Sequence, residues 1–408
     1  MKKIESLSLL TDLYQLTMSY GYFKNNMHNK TAVFNLFYRK NPFNGNYAIS
    51  CGLRSAIDYI QNFKFIKSDI DYLRTLTGND NKALFSEDFL EYLSQLKFEG
   101  DIDGVEEGRI VFPHEPMLRI KAPIILGQLL ETPLLNIMNF QTLIATKTNR
   151  VCLAAQGDTV LEFGLRRAQG VDGAISATYA SMIGGAHATS NVLAGKLFGM
   201  GVKGTHAHSW VMSFDQELDA FNAYADSLPN NCIFLVDTYN TKQGVTNAIE
   251  VAKSLREKGH EVLGIRLDSG DMAKLSIMAR EMLDKAGFEG AKIVASNDLD
   301  EYRIHELKSK GAKIDVWGVG TKLVTAYDQP ALGGVYKLAA IKEDDNWIYK
   351  VKKSEELIKV SNPGILNIKR YLKDGKYSLD VMINEEEQAS DRCVDMTNEN
   401  LTALDEQE

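Results

Sequence analysis

His208, Asp237, Asp268 and Asp298 stand 29, 31 and 30 residues apart. Each lies at or just beyond a short apolar or β-branched run, and an amphipathic helical pattern follows the last three. A βαβ unit takes about 30 residues, and polar residues set repeatedly at strand C-termini build the rim of an α/β-barrel active site. The spacing therefore gathers one imidazole and three carboxylates around one mouth. This is the equipment of an enzyme.

The segment Thr205-His206-Ala207-His208-Ser209 admits three readings. His206 and His208, with His187, would ligate a metal, although neither a cysteine nor a close acidic cluster completes the ligand set. Alternatively, a histidine here is a structural hydrogen-bonding group. In the third reading His208 is a nucleophile that takes up a phosphoryl group, a partner on its other ring nitrogen setting the tautomer. The segment by itself leaves all three open, and we assign no metal ligands.

Three further segments carry candidate chemistry. Phe163-Gly164-Leu165-Arg166-Arg167 ends a strand with an aromatic ring and guanidinium forks suited to carboxylate or phosphate. In Ile265-Arg266-Leu267-Asp268-Ser269 the alternation points Arg266 and Asp268 the same way. There Arg266 would hold an anion and Asp268 ribose hydroxyls or a hydrated magnesium ion, unless the two form a structural ion pair. In Gly318-Val319-Gly320-Thr321-Lys322 the glycines let the backbone approach a phosphate, with the Thr321 hydroxyl beside it. No Walker loop or GxGxxG occurs, which argues against the usual mononucleotide and dinucleotide sites.

The elements that position these residues follow the same period. Strands are predicted over 159–163, 174–177, 201–204, 233–237, 262–267, 292–295 and 314–318, with helices clearest over 241–258, 272–285 and 299–310. Thr132, followed by Pro133, is the predicted N-cap of the long helix that precedes them. The first third has no βα period: a helix over 9–23, a strand over 31–39, a helix over 49–63, two helical patterns within 66–98 and short strands from 108 to 130. We expect an α/β domain over 131–335 and a smaller α+β domain over 1–130, which the strand-like segments after 336 rejoin. The acidic stretch 384–408 is expected to be poorly ordered.

Composition limits the partners. A chain of 408 residues with net charge −8 lacks the basic face that nucleic acid requires. The N-terminus has no apolar targeting core and no run reaches membrane-spanning length. Cys51, Cys152, Cys232 and Cys393 form no CxxC pair and read as free thiols. A cytoplasmic protein is expected.

Seven segments taken in order resemble the nicotinate phosphoribosyltransferases, a family of type II phosphoribosyltransferases: LLTDLYQLTMSYGYF (9–23), ETPLLNIMNFQTLIATKTNRV (131–151), EFGLRRAQGVDGAISATYASMIGGAHATSNVLAGK (162–196), GTHAHSW (204–210), FLVDTYNTKQGV (234–245), IRLDSGDM (265–272) and GVGTKL (318–323). The likeness runs from residue 9 to about residue 335 and fades beyond about residue 340. It implies the irregular α/β barrel of that class with a second, smaller α+β domain built from the N- and C-terminal segments. The implied reaction makes nicotinate mononucleotide and pyrophosphate from nicotinate and 5-phosphoribosyl 1-diphosphate, the first step of NAD salvage from nicotinate. ATP and Mg2+ are the implied cofactors, with ATP hydrolysis coupled through a phosphohistidine.

By the same resemblance His208 is the phosphorylated residue, Asp268 joins it as catalytic, and His206 falls at a variable position. Tyr14 matches a ring that stacks on the pyridine from a neighbouring subunit of a homodimer, and Phe163 the ring on its other face. Thr205 and Arg266 match contacts to nicotinate or its nucleotide, and Gly320 and Thr321 match the phosphoribosyl contact. Arg166, Ser190 and Ser209 are further pocket members. Where the related nicotinamide enzyme carries an aspartate, this chain has Ser190, which accommodates a carboxylate that aspartate would repel. The rival expectations are a nicotinamide-specific enzyme of the same fold, a metal-dependent barrel hydrolase using His187, His206 and His208, and a non-catalytic binder of phosphorylated sugars.

Overall fold

The computed structural model describes residues 5–385, 387, 392–394 and 400–403. The chain divides into two compact units, Met1–Thr142 with Ala331–Glu408, and Leu143–Pro330. One boundary falls inside the helix Glu131–Ala155.

In the first unit Thr31–Tyr38, rich in the aromatic and branched residues that suit a pleated surface, is the central strand of an antiparallel sheet. Its order is Asn346–Tyr349, Gly334–Glu343, Thr31–Tyr38, Leu118–Pro123, Asp101–Gly104. Leu36 lies opposite both Tyr336 and Leu118, so the chain beyond residue 331 completes a sheet begun near the N-terminus. Phe34 stacks on Tyr336 with ring centroids 5.0 Å apart. A second sheet is built on the hairpin Leu366–Lys373 and Lys376–Asn384. Of the stretch 384–408, the strands Arg392–Val394 and Asn400–Ala403 belong to that sheet, and most of the remainder lies outside the described residues.

Three local expectations fail here. The short strands predicted from 108 to 130 stop at Pro123, and Ile124–Leu129 is a helix. The helix predicted over 49–63 begins only at Leu53, after the short strand Ala48–Ile49. Thr132 is not an N-cap: the helix starts at Glu131, Leu134 N–H already bonds the Leu130 carbonyl, and the Thr132 hydroxyl donates to Asp12 Oδ2 at 2.8 Å.

The second unit carries the βα period. Its six strands are parallel, in the order Ala188–Thr189, Thr159–Glu162, Val316–Val319, Lys292–Ala295, Gly264–Leu267, Ile233–Leu235. Four of the helices open on a side-chain cap: Asn191, Asn240, Asp271 and Asp300 accept from the backbone N–H three residues on, at 3.2, 3.0, 3.3 and 2.7 Å. The predicted strand 174–177 lies instead within the helix Val171–Ile183, where buried Ala174, Ala177, Thr178 and Ser181 follow helical spacing. A short apolar run is ambiguous between the two states, and the alanines favour helix. Segment 201–204 is not a strand either; Val202 makes a single parallel bridge to Thr189.

That bridge matters for closure. Val202 sits on one edge of the sheet, and four residues later the ring of His206 accepts the Leu235 N–H of the opposite edge strand at 3.2 Å. Four residues span at most about 14 Å, so the sheet must curl until its edges nearly meet. Cys51 and Cys232 are buried free thiols and Cys152 is partly exposed. Among the described residues no helix is long and apolar enough to cross a membrane.

Candidate active site

A cavity of about 400 Å³ opens at the C-terminal ends of the parallel strands. Phe163, Arg166, Ser190, Thr205, Arg266, Asp268, Gly320 and Thr321 line it together. His208 and Ser209 begin the short helix His208–Met212, directly after the lining residue Ala207. Tyr14 belongs to the first unit, half exposed on the helix Leu13–Lys24.

Arg266 is the hub. Its Nε donates to Ser296 Oγ at 2.9 Å, Nη1 to Thr205 Oγ1 at 2.8 Å and Nη2 to Asp268 Oδ1 at 3.1 Å. Ser296 also donates to the same Asp268 oxygen. Burial pushes the Asp268 pKa up, but the Ser296 hydrogen bond, the adjacent guanidinium and His208 together hold it below the usual carboxylate range. The structural ion pair and the anion-binding arginine are thus one arrangement, with Thr205 and Ser296 fixing the fork. Arg166 and Arg167 remain exposed beside it.

His208 is hydrogen-bonded at one ring nitrogen and faces a carboxylate at the other. Nδ1 lies 3.0 Å from Thr238 Oγ1, and Nε2 lies 3.7 Å from Asp268 Oδ2. Asp237 supports this group from below, Oδ2 accepting the Asp268 N–H at 2.8 Å and the Ser269 hydroxyl at 2.7 Å. Its Oδ1 is buried and has no partner among the described residues. An oxygen of this kind fits a hard cation such as magnesium, which takes carboxylates and waters.

His206 does a different job. It is buried among Tyr224, Phe221 and Phe234, with ring centroids 4.9, 5.9 and 6.5 Å away. Burial pushes its pKa down to about 4, against a backbone hydrogen bond at Ala207 and with repulsion from Arg266. A neutral ring is what the bond from Leu235 N–H requires, since Nε2 must keep its lone pair. His187 likewise accepts the Val160 N–H on Nδ1 at 3.1 Å. Both histidines face backbone donors of strands, and among the described residues no group of three metal-binding side chains assembles.

The depressed pKa carries a prediction. Between 6.5 and about 4 the unfolded chain binds a proton at this position that the folded protein does not. Stability is therefore full above that window and falls as pH drops through it. His206→Leu is expected to flatten this slope and, by orphaning the Leu235 N–H, to cost about 1–3 kcal/mol at neutral pH, as urea titrations across pH would register.

Ser296, Asn297 and Thr238 were not named from sequence as members of the site. Ser296 and Asn297 line the cavity with Asp298, and Asn297 and Asp298 take φ of +84° and +46° in succession. Asn and Asp tolerate this region best among residues with side chains, and such strain gathers at functional sites. Asp298 was visible only in the spacing. Thr238 is one of many loop hydroxyls, and nothing local marks it. Gly318 makes room for the aromatic ring: a β-carbon there would stand 2.7 Å from Phe163.

A curled parallel sheet with a cavity, guanidinium groups and a histidine at its strand ends defines an α/β enzyme. Comparison narrows the class. The model of the nicotinate phosphoribosyltransferase N-terminal domain matches residues 9–139, and that of the nicotinate phosphoribosyltransferase family matches residues 159–367. The nicotinate phosphoribosyltransferase of Bacillus subtilis (strain 168) is 49% identical over 92% of this chain and 76% of its own. The crystal structure of human nicotinic acid phosphoribosyltransferase superposes with a TM-score of 0.81 at 31% identity, covering 97% of this chain and 88% of that one. Nicotinate-nucleotide pyrophosphorylase from Pyrococcus furiosus shares the fold, with a TM-score of 0.74 at 20% identity. The chain belongs to the nicotinate phosphoribosyltransferase family. The match reaches residue 367, further than the motifs alone.

Proposed function

We infer that this protein joins nicotinate to the ribosyl group of 5-phosphoribosyl 1-diphosphate, releasing pyrophosphate, and couples the step to ATP through phosphorylation of His208. The observation that carries this reading is the cavity in which Phe163, Ser190, Arg266 and Thr321 meet, with the His208 imidazole beside it, anchored at Nδ1 by Thr238. Family membership supports the substrates. The coupling rests on the imidazole.

With Nδ1 protonated and donating to Thr238, the Nε2 lone pair is available for attack. Nε2 bonds the terminal phosphorus of ATP, the bridging P–O bond breaks, and ADP leaves. In the transfer itself the ribose C1–O bond to pyrophosphate breaks and the pyridine nitrogen bonds C1. The cavity supplies positioning and electrostatics: Phe163 packs against the base, Ser190 and Arg266 meet its carboxylate, and Thr321 with the Gly318–Gly320 backbone cradles the 5-phosphate. Asp237 and Asp268 would hold magnesium, which supplies positive charge for the departing polyphosphate. Water then cleaves the N–P bond, and that loss drives net synthesis. The helix Leu13–Lys24 presents Tyr14 together with exposed Leu13 and Met18, an apolar face suited to a second copy of the chain whose cavity Tyr14 would close.

ATP labelled on its terminal phosphate tests the coupling. The protein is expected to take up acid-labile, base-stable label that nicotinate with phosphoribosyl diphosphate discharges. Label that survives acid, or none at all, would reject the phosphohistidine.

A further inference from the structure

Glu162 ends the strand Thr159–Glu162 and is fully buried, one residue before Phe163. Its carboxylate meets no cation among the described residues. Oε1 accepts the Gly164 N–H, and Oε2 accepts the Thr189 hydroxyl at 2.6 Å and the Thr178 hydroxyl at 3.0 Å. Its backbone carbonyl accepts the Ser190 N–H at 3.0 Å. The network extends outward: Thr189 Oγ1 accepts the Asn191 N–H at 2.9 Å, and Asn191 Nδ2 donates to Thr178 Oγ1 at 3.2 Å.

A carboxylate buried without a cation costs more than an apolar side chain would in a strand interior. Packing alone therefore does not account for it. Two of the three donors sit beside a cavity wall, and the third, Thr178, comes from the helix Val171–Ile183. Gly164 follows Phe163, Thr189 precedes Ser190, and Phe163 and Ser190 are two walls of the cavity. The turn after the strand is tight as well, since a β-carbon at Gly164 would stand 2.3 Å from Val324. Oε1 holds the far side of Phe163 while Oε2 holds the near side of Ser190.

We propose that Glu162 is a positioning residue for the pyridine base: its carboxylate locks the Phe163 ring and the Ser190 hydroxyl into one geometry, and through them sets affinity for nicotinate. The proposal rests on the nicotinate reading above. The phosphoribosyl residues Gly320 and Thr321 lie on another loop, joined to this one through the Phe163 N–H bond to the Val319 carbonyl at 2.8 Å and, among the described residues, not through the Glu162 carboxylate.

The test is steady-state kinetics of the full chain with nicotinate and phosphoribosyl diphosphate varied separately. Glu162→Gln keeps the shape but replaces one acceptor oxygen with a donor. We expect its KM for nicotinate to rise by about tenfold or more, as for loss of a hydrogen bond to a charged group. The KM for phosphoribosyl diphosphate should stay within about twofold. Thr189→Val, which removes a single donor, should shift the nicotinate KM in the same direction, and Thr189→Ser should restore it. This pair carries the test should Glu162→Gln not fold. A nicotinate KM unchanged in Glu162→Gln, a parallel rise for both substrates, or Thr189→Val matching the wild type would overturn the proposal. A wild-type protein that never turns over nicotinate would instead overturn the underlying reading, and this inference with it.

Discussion

His208→Ala is expected to bring the ratio of rates with and without ATP to about 1, because the other histidine of the cavity, His206, is buried with its Nε2 committed to the Leu235 N–H. Slow, reversible transfer should persist, since Phe163, Ser190, Arg266 and Thr321 all remain in place. The substitution falls on a partly exposed ring at the start of a short helix, so little stability should be lost with it. Label transfer from ATP should vanish at the same time. Asp268, which gains a lowering contribution from His208, remains held down by Ser296 and Arg266. ATP stimulation equal to that of the wild type in this variant would remove His208 from the mechanism.

Arg266→Lys should be nearly as damaging, although it conserves charge. The guanidinium satisfies Ser296, Thr205 and Asp268 from three separate nitrogens, and a lysine ammonium cannot reproduce that planar fork. Loss of an aligned donor in an active site costs on the order of 10²–10³ in rate, and here two hydroxyls lose their anchor as well. The pH dependence gives an independent sign. With the guanidinium gone, burial has less opposition and the Asp268 pKa must rise from its lowered position. The acid limb of kcat/KM should therefore move to higher pH in Arg266→Lys than in the wild type. An acid limb that stays in place would mean that Asp268 is not the group being read.

Much of the site was legible because the βα period is a geometric instruction. Asp237, Asp268 and Asp298 follow strands, and parallel strands bring their C-terminal ends together whatever lies between. The asparagine and aspartate caps mark where four of the helices begin. What could not be read has physical causes as well. Residues 174–177 are apolar and short, a pattern that fits helix and strand alike until packing decides. The seam depends on His206 meeting Leu235 across 29 residues, a contact without a local signature. Residue type and spacing do not tell His206 from His208; burial marks His206 as the structural ring and leaves His208 as the one we propose to react. Glu162 reads as an ordinary charge at a strand end until three donors are seen converging on it.

A cavity built for nicotinate and a histidine that couples it to ATP are tested together by product formed from labelled nicotinate and, in parallel, labelled nicotinamide, each with phosphoribosyl diphosphate and magnesium, with and without ATP. Nucleotide from the acid and not the amide, formed faster with ATP, is the predicted result. Nucleotide from nicotinamide, or from neither base, would contradict it.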